Sequence, residues 1–534
     1  MWINYKTNIE SMKDMKHYYA NGRDYYYSGI FFIPGFKEGI ESIKELDKQY
    51  SESNKLDFIQ YMGSYNIVIK EDEEYIFFSS NSISSGLYYN GEIVSNNVLD
   101  IVKHSSSFEF DEKGICQYMM YGKVFFDKTY IKDVYITSNQ CFYRIKGNKI
   151  EKLSKNIGTL EDEGNGISPE TFSTYLSIAL QDKKSVLSLT GGFDSRFVLS
   201  MFLKKCPIFT SICGSDITHE DFVISKSVAE AARVPYKAEV IEKPTITDDY
   251  IKEVFVSRGG YHYLINESVF RLNEYIDRKK SEGFECLITG DSGIFHKSDE
   301  WTQYFPFYKL PFTNTRRDYR NLILCNKKML PMSDRLKSLF KKNREEILLY
   351  LNENKKNCNT KSFDWFSWYL SRKASYMPLY NGQSMLIDSY PPLLEYRLVV
   401  NSYNLKRRKR IMAWQMRGFI SSVDKDVSEI PTAIGATAST DLKFVLKDCL
   451  ICFVDVFKSA KRFISRFIKL GKKGKSHNVT TWSCEKEIRG LKLSEEAVGF
   501  GIENDWIEAK LTASDVPYDL LVKLIELFLL KTYR

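Results

Sequence analysis

The sequence predicts an α/β protein with a β-rich first part, a parallel α/β middle and a helical, basic final third. Three observations predict it. Runs rich in Tyr, Phe, Ile and Val, punctuated by Gly and Asn, fill residues 1–155. A polar stretch from Leu153 to Ser168 then separates them from a rhythm of short apolar strands and longer helical segments. From about Asp334 onward the text is mostly helical and richer in Lys and Arg.

In the first part, Asp24–Ile33, Ser64–Lys70, Glu74–Ser79, Val134–Thr137 and Cys141–Ile145 read as strands, with an Asn-Gly turn at Tyr89–Glu92. In the middle, strands are expected at Ser185–Leu189, Ile208–Ile212 and Cys286–Thr289. Helices are expected at Ser195–Lys205, His219–Arg233 and Glu267–Lys280. These patterns divide the 534 residues into 1–155, 168–440 and 441–534.

Hydrophobic residues at 43% and charged residues at 27% describe a globular chain with substantial cores. The net charge, 76 − 68 = +8, is modest for this length and calls for no nucleic acid. No uninterrupted apolar run is long enough to span a membrane, and no secretory signal is visible. Ten cysteines scattered from Cys116 to Cys484 fit reduced thiols in the cytoplasm. Cys449 and Cys452 form one CxxC without a second pair, so a buried helix explains them better than zinc.

The segment that carries chemistry is Thr190-Gly-Gly-Phe-Asp-Ser195, between a strand and a helix. Paired glycines let backbone approach an anion closely, and the helix start adds free amides and a positive dipole end. Thr190 and Ser195 offer hydroxyls, and Arg196 is expected to add a positive charge beside the loop. Asp194 would repel phosphate unless a cation intervened, which implies Mg²⁺. The alternative is an ordinary strand-to-helix turn with an Asp cap.

This hexapeptide resembles the Ser-Gly-Gly-Xaa-Asp-Ser loop of the ATP pyrophosphatase superfamily. Three more segments look like its asparagine synthetase branch: Phe209–Gly214 with Asp221 and the following helix, Cys286-Leu-Ile-Thr-Gly-Asp-Ser-Gly293, and Ser389–Glu395 with Arg397-Leu-Val. The likeness covers about Thr171 to Thr440. It implies ATP contacts at Leu189, Thr190, Gly191, Gly192, Asp194, Ser195, Ile212, Thr289 and Gly290. It also implies Mg²⁺ at Asp194 and Asp291, and catalytic parts for Asp291 and Arg196. A further acidic pair usual in the family is missing after Asp291, so Asp291 is either the base or the metal ligand.

Asp57–Ile69 and Ser80–Tyr89 resemble the family's glutaminase domain, which implies an N-terminal α/β/β/α sandwich of the Ntn type. There a Cys after the initiator Met is the nucleophile. Here residue 2 is Trp and the first Cys is Cys116, so glutaminase activity is expected to be absent. The middle part is expected to be a parallel nucleotide-binding domain of the pyrophosphatase-loop class. The implied reaction is ATP-dependent amide formation between a small-molecule or peptide carboxylate and ammonia or a substrate amine. Ring closure, as in lasso-peptide cyclases and β-lactam synthetases, is an alternative. A binding pseudoenzyme is another.

In the final third, Lys406–Arg410, Trp414 and Arg417 read either as a solvated face or as a source of one cation for pyrophosphate. From Phe453 to Lys469, apolar and basic residues fall on opposite helical faces. That suits either a core-facing helix or peripheral contact with an anionic membrane. It does not suit nucleic acid, because the aromatics lie opposite the charges.

Overall fold

The computed structural model describes every residue except 8, 14, 148, 262–264, 298–329, 355–359, 411–412, 452–453 and 455–482. Eleven strands precede residue 155: β1 (Trp2–Asn4), β2 (Ile9–Ser11), β3 (Lys16–Ala20), β4 (Arg23–Phe32), β5 (Met62–Glu71), β6 (Glu74–Ser79), β7 (Tyr88–Tyr89), β8 (Ile93–Ser95), β9 (Tyr135–Ile136), β10 (Cys141–Lys146) and β11 (Lys149–Ser154). They form two antiparallel sheets, ordered β2-β1-β8-β7-β9 and β11-β10-β6-β5-β4-β3. The Asn-Gly turn joins β7 to β8, with the Asn90 side chain accepting from the amides of Glu92 and Ile93 at 2.8 and 2.7 Å.

The sheets face each other across Ile3, Val68, Phe77, Val94 and Tyr143. Helix α1 (Ile40–Ser53) covers the outer face of the six-stranded sheet. Helices α2 (Val98–His104) and α3 (Glu112–Tyr121) cover the other outer face, so the first part is a four-layer sandwich.

The middle of the chain is a five-stranded parallel sheet. Its strands are β12 (Ser185–Ser188), β13 (Phe209–Gly214), β14 (Tyr236–Val240), β15 (Cys286–Thr289) and β16 (Asp388–Tyr390), in the order β14-β13-β12-β15-β16. Val186, Leu187, Leu287 and Ile288 are buried on both faces, as a parallel sheet requires. Helices α4 (Pro169–Ala179), α5 (Phe193–Phe202) and α6 (Glu220–Ala232) pack on one face. Helix α7 (Asp248–Ser257) leads to α8 (Glu267–Ser281), which packs on the other. The chain is thus mixed α/β, with antiparallel sheets first and a parallel sheet second.

Later helices include α9 (Asp334–Asn354), α10 (Lys373–Ser384), α11 (Tyr396–Asn404), α12 (Trp414–Val423), α13 (Lys425–Glu429), α14 (Lys492–Glu503) and α15 (Tyr518–Thr532). Helices α14 and α15, expected as an extension, enter the largest apolar cluster with α2, α3 and α7. Lys523 Nζ donates to the Met119 carbonyl at 3.0 Å. No described helix is long and apolar enough to cross a membrane.

The polar stretch expected as a linker is held firmly. Ile157 and Leu160 are buried, and the Leu160 carbonyl accepts from Asn404 at 2.8 Å. Two buried charges hold together segments far apart in sequence. Glu395 accepts from the Gly63 amide of β5 at 2.9 Å and from the Tyr390 hydroxyl at 3.1 Å, and burial pushes its pKa up to about 7. Lys155 donates to the Ser79 carbonyl at 2.5 Å and to Asn81 at 3.2 Å, and burial pushes its pKa down to about 7.

Lys155 has a pH signature. Its folded pKa lies below an unfolded value of about 10.4, so between those values the unfolded chain binds more protons. Stability is expected to rise with pH through this window on account of Lys155, so wild type should gain stability relative to Lys155→Met as the pH rises. Glu395 titrates below this window and does not mask it. Chaotrope denaturation midpoints of both proteins, measured upward from pH 7, check this; parallel curves would refute it.

Candidate functional site

Parallel strands β12 and β15 are neighbours, with Ser188 paired to Thr289. The chain leaves β12 for α5 and β13 on one side, and β15 lies on the other, so the sheet order reverses between them. The loops after these two strands therefore open the crevice where doubly wound sheets take ligands. Residues 190–195 and 290–293 meet there. A Cβ on Gly290 would collide with the Ser195 backbone, and one on Gly293 with the Asp194 carboxylate.

Hydroxyls stitch the first loop. Ser195 Oγ accepts from the Thr190 amide at 3.1 Å and lies 3.0 Å from Thr190 Oγ1. Thr190 Oγ1 also accepts from the Gly192 amide at 3.3 Å, and the Gly191 amide donates to Asp221 of α6 at 3.0 Å. Helix α5 begins at Phe193 after Gly192, with no side chain capping it. Its first amides and the positive end of its dipole are thus offered to an anion. Leu189 and Ile212 are buried beneath the loop, with the Leu189 amide bonded to the Ser211 carbonyl at 2.8 Å.

Asp194 is ion-paired: Lys297 Nζ lies 2.9 Å from its Oδ1. The cation that the sequence demanded beside this carboxylate is supplied here by a lysine six residues beyond Asp291. Asp291 is exposed, and its Oδ2 accepts from the Tyr380 hydroxyl of α10 at 2.6 Å. Tyr380 also lies 3.3 Å from Thr289 Oγ1, so one buried phenol fixes both ends of this strand exit. Among the described residues no three His, Cys, Asp or Glu side chains cluster as a metal site. Asp194 and Asp291, on touching loops, suit a Mg²⁺ ion held by one or two carboxylates and completed by phosphate oxygens.

Arg196 requires a correction. It is completely buried, and its guanidinium donates to the carbonyls of Ile430 (2.5 Å), Val427 (3.3 Å) and Gly191 (3.4 Å). Burial without an acidic partner pushes its pKa down to about 10. It is a clamp between the loop and the turn after α13, not a charge facing substrate. The signal was available: α5 reads Phe-Asp-Ser-Arg-Phe-Val-Leu-Ser-Met-Phe, apolar nearly all round, and a helix of that kind is buried on every side.

The basic run resolves similarly. Arg410 pairs with Asp364 at 2.7 Å and donates to the Phe295 carbonyl at 3.1 Å; Arg417 pairs with buried Asp448 at 2.7 Å. Both are interior struts, while Lys406 and Lys409 are exposed. Neighbouring His296 is consumed by Ser402 and the Leu393 carbonyl, and burial pushes its pKa down to about 4. In the first part, the Met1 amine donates to Asn96 at 2.9 Å and Trp2 stacks on His104 with centroids 4.1 Å apart. The stripe from Phe453 to Lys469 falls almost wholly outside the described residues.

Lys297 and Tyr380 carry no local signal in the sequence, because each acts through a partner about a hundred residues away or across a loop. Scanned against models of known protein families, the chain matches none, and a search of characterised proteins finds no match.

The reassignment of Arg196 makes a prediction. Arg196→Met removes three bonds to buried carbonyls and should lower folding stability by about 2–4 kcal/mol. Denaturation midpoints measure this, and an unchanged midpoint with lost nucleotide binding would return Arg196 to the ligand.

Proposed function

We propose that the chain is an ATP-dependent amide-forming enzyme that activates a carboxylate as its adenylate. The observation that carries this reading is the meeting of residues 190–195 and 290–293 at the sheet's reversal point, with an uncapped helix start and two carboxylates on the facing loops. In that frame the amides of Gly192 and the first turn of α5 hold the β- and γ-phosphates as the departing anion. A substrate carboxylate oxygen attacks the α-phosphorus and the bond to pyrophosphate breaks. Ammonia or a substrate amine then attacks the acyl carbon, the bond to AMP breaks, and Asp291 takes the amine's proton. A bound Mg²⁺ would neutralise phosphate charge at Asp194, which leaves Asp291 free to act as the base. Tyr380 orients Asp291, and Arg196 holds the loop in place from behind.

Trp2 has no nucleophilic atom, so the nitrogen comes from solution or from the substrate rather than from glutamine. A second reading, an ATP-binding pseudoenzyme, is favoured by two contacts: Lys297 already neutralises Asp194, and Asp221 already holds the Gly191 amide.

Product analysis separates the readings. With a panel of carboxylates, the enzyme is expected to exchange pyrophosphate into ATP and to release AMP, not ADP. Asp291→Asn should leave the exchange intact while amide formation falls by about 100-fold or more, if Asp291 is the base. ADP as the main product would overturn the proposal; nucleotide binding without exchange across the panel would establish the pseudoenzyme.

Lys297 adds a binding prediction. In its absence Asp194 faces the triphosphate uncompensated, so Lys297→Ala should weaken metal-free ATP binding about tenfold or more, and Mg²⁺ should restore most of the loss. Calorimetric titration of both proteins with and without Mg²⁺ measures it. Equal affinities throughout would show that Asp194 does not face the phosphates.

A further inference from the structure

The helix at 442–451 is fixed by its inner side. Asp448 accepts from Arg417 at 2.7 Å and from the Thr437 amide at 3.1 Å, which sets the helix's rotation. Its outer side is apolar. Leu442, Leu446 and Leu450 recur every four residues and are 72, 57 and 68% exposed. Residues at that spacing lie one above another on a helix, so they form a single stripe. Ile434, in the preceding loop, is exposed as well. Single exposed apolar residues are ordinary, but a continuous stripe of large aliphatic side chains marks a surface that docks on something.

Charge indicates what. Lys443 and Lys447 stand exposed beside the leucines, and the one acid at the helix start, Asp441, is paired with Lys425. The sequence running on from the stripe, 455–482, carries eight Lys and Arg against a single acid, Asp455. A symmetric contact with a second copy would bring these like charges together. An anionic bilayer instead accepts aliphatic side chains into its interface and lysines among its headgroups.

We propose that the face formed by Leu442, Leu446 and Leu450, flanked by Lys443 and Lys447, docks the protein onto an anionic lipid surface. The proposal is independent of the reaction assigned to the loops.

The test is co-sedimentation of the full chain with vesicles of phosphatidylcholine alone or containing about 30% phosphatidylserine. The expected result is sedimentation with the anionic vesicles, strongly reduced when salt is raised to about 0.5 M. Leu442→Ser/Leu446→Ser/Leu450→Ser should weaken it by at least about tenfold while leaving the melting temperature nearly unchanged, because the three side chains already face solvent. Lys443→Glu/Lys447→Glu tests the same face without touching the leucines and should also weaken binding. Equal partition to both vesicle types, or no sedimentation, would overturn the proposal. So would wild-type binding by both variants, which would assign the contact to 455–482. A drop in mass from dimer to monomer in the leucine variant would assign the stripe to a second copy of the chain.

Discussion

The close approach of two neighbouring strand exits governs the rest of the site. Residues following β12 and β15 must share a crevice only one strand spacing wide, about 4.8 Å. Side chains cannot fit at two of the contact points: Gly290 lies against the Ser195 backbone and Gly293 against the Asp194 carboxylate. Because the backbones come so close, Asp194 is held beside the start of a helix whose dipole favours it, among uncapped amides that would attract any other anion as well. Lys297 neutralises the carboxylate with an ion pair, and its charge then belongs to the site as much as the glycines do.

Buried charge is concentrated where segments far apart in sequence join. Arg196 joins the loop after β12 to the turn after α13, Lys155 joins the end of β11 to the serine-rich segment after β6, and Glu395 joins the start of α11 to β5. Among the described residues none of these three charges is in an ion pair; their bonds run to backbone groups, the Tyr390 hydroxyl and the Asn81 side-chain amide. Such charges are costly to bury and are tolerated only with their hydrogen bonds made. Their bonds therefore specify one register for each junction, since sliding a segment by a single residue would leave a desolvated charge without partners.

What could be read from the sequence follows from how local its cause is. β6 and β15 were legible to the residue because apolar β-formers end abruptly at polar or glycine positions, and the loop after β12 was legible because two glycines and a following apolar helix are contiguous. β16 was not: Asp388-Ser-Tyr390 has no strand signature, and it becomes a strand only because β15 offers an unpaired edge. Asp291 was singled out through the resemblance of Cys286–Gly293, but its partner Tyr380 lies in a helix whose sequence reads like any other. Arg196 was misjudged because its charge was weighed without the helix around it. The expectation of a loose linker failed for a related reason: Ile157 and Leu160 are few among polar neighbours, yet both are buried.

The sandwich has a structural route to the site. Tyr380 and Asn381 are consecutive in α10. The first bonds Asp291; the second brackets Gly86 of the sandwich, accepting from its amide at 3.1 Å and donating to its carbonyl at 2.8 Å. A Cβ on Gly86 would press on Ile136 and Met377 at 3.0 Å, so α10 sits as close to the sandwich as backbone allows. Two side chains that leave one helix at adjacent positions cannot move independently. Fixing Asn381 against Gly86 therefore fixes the azimuth of α10 and with it the direction of the Tyr380 hydroxyl. The position of Asp291, an exposed side chain at a loop, is in this way set by the packing of α10 against the sandwich.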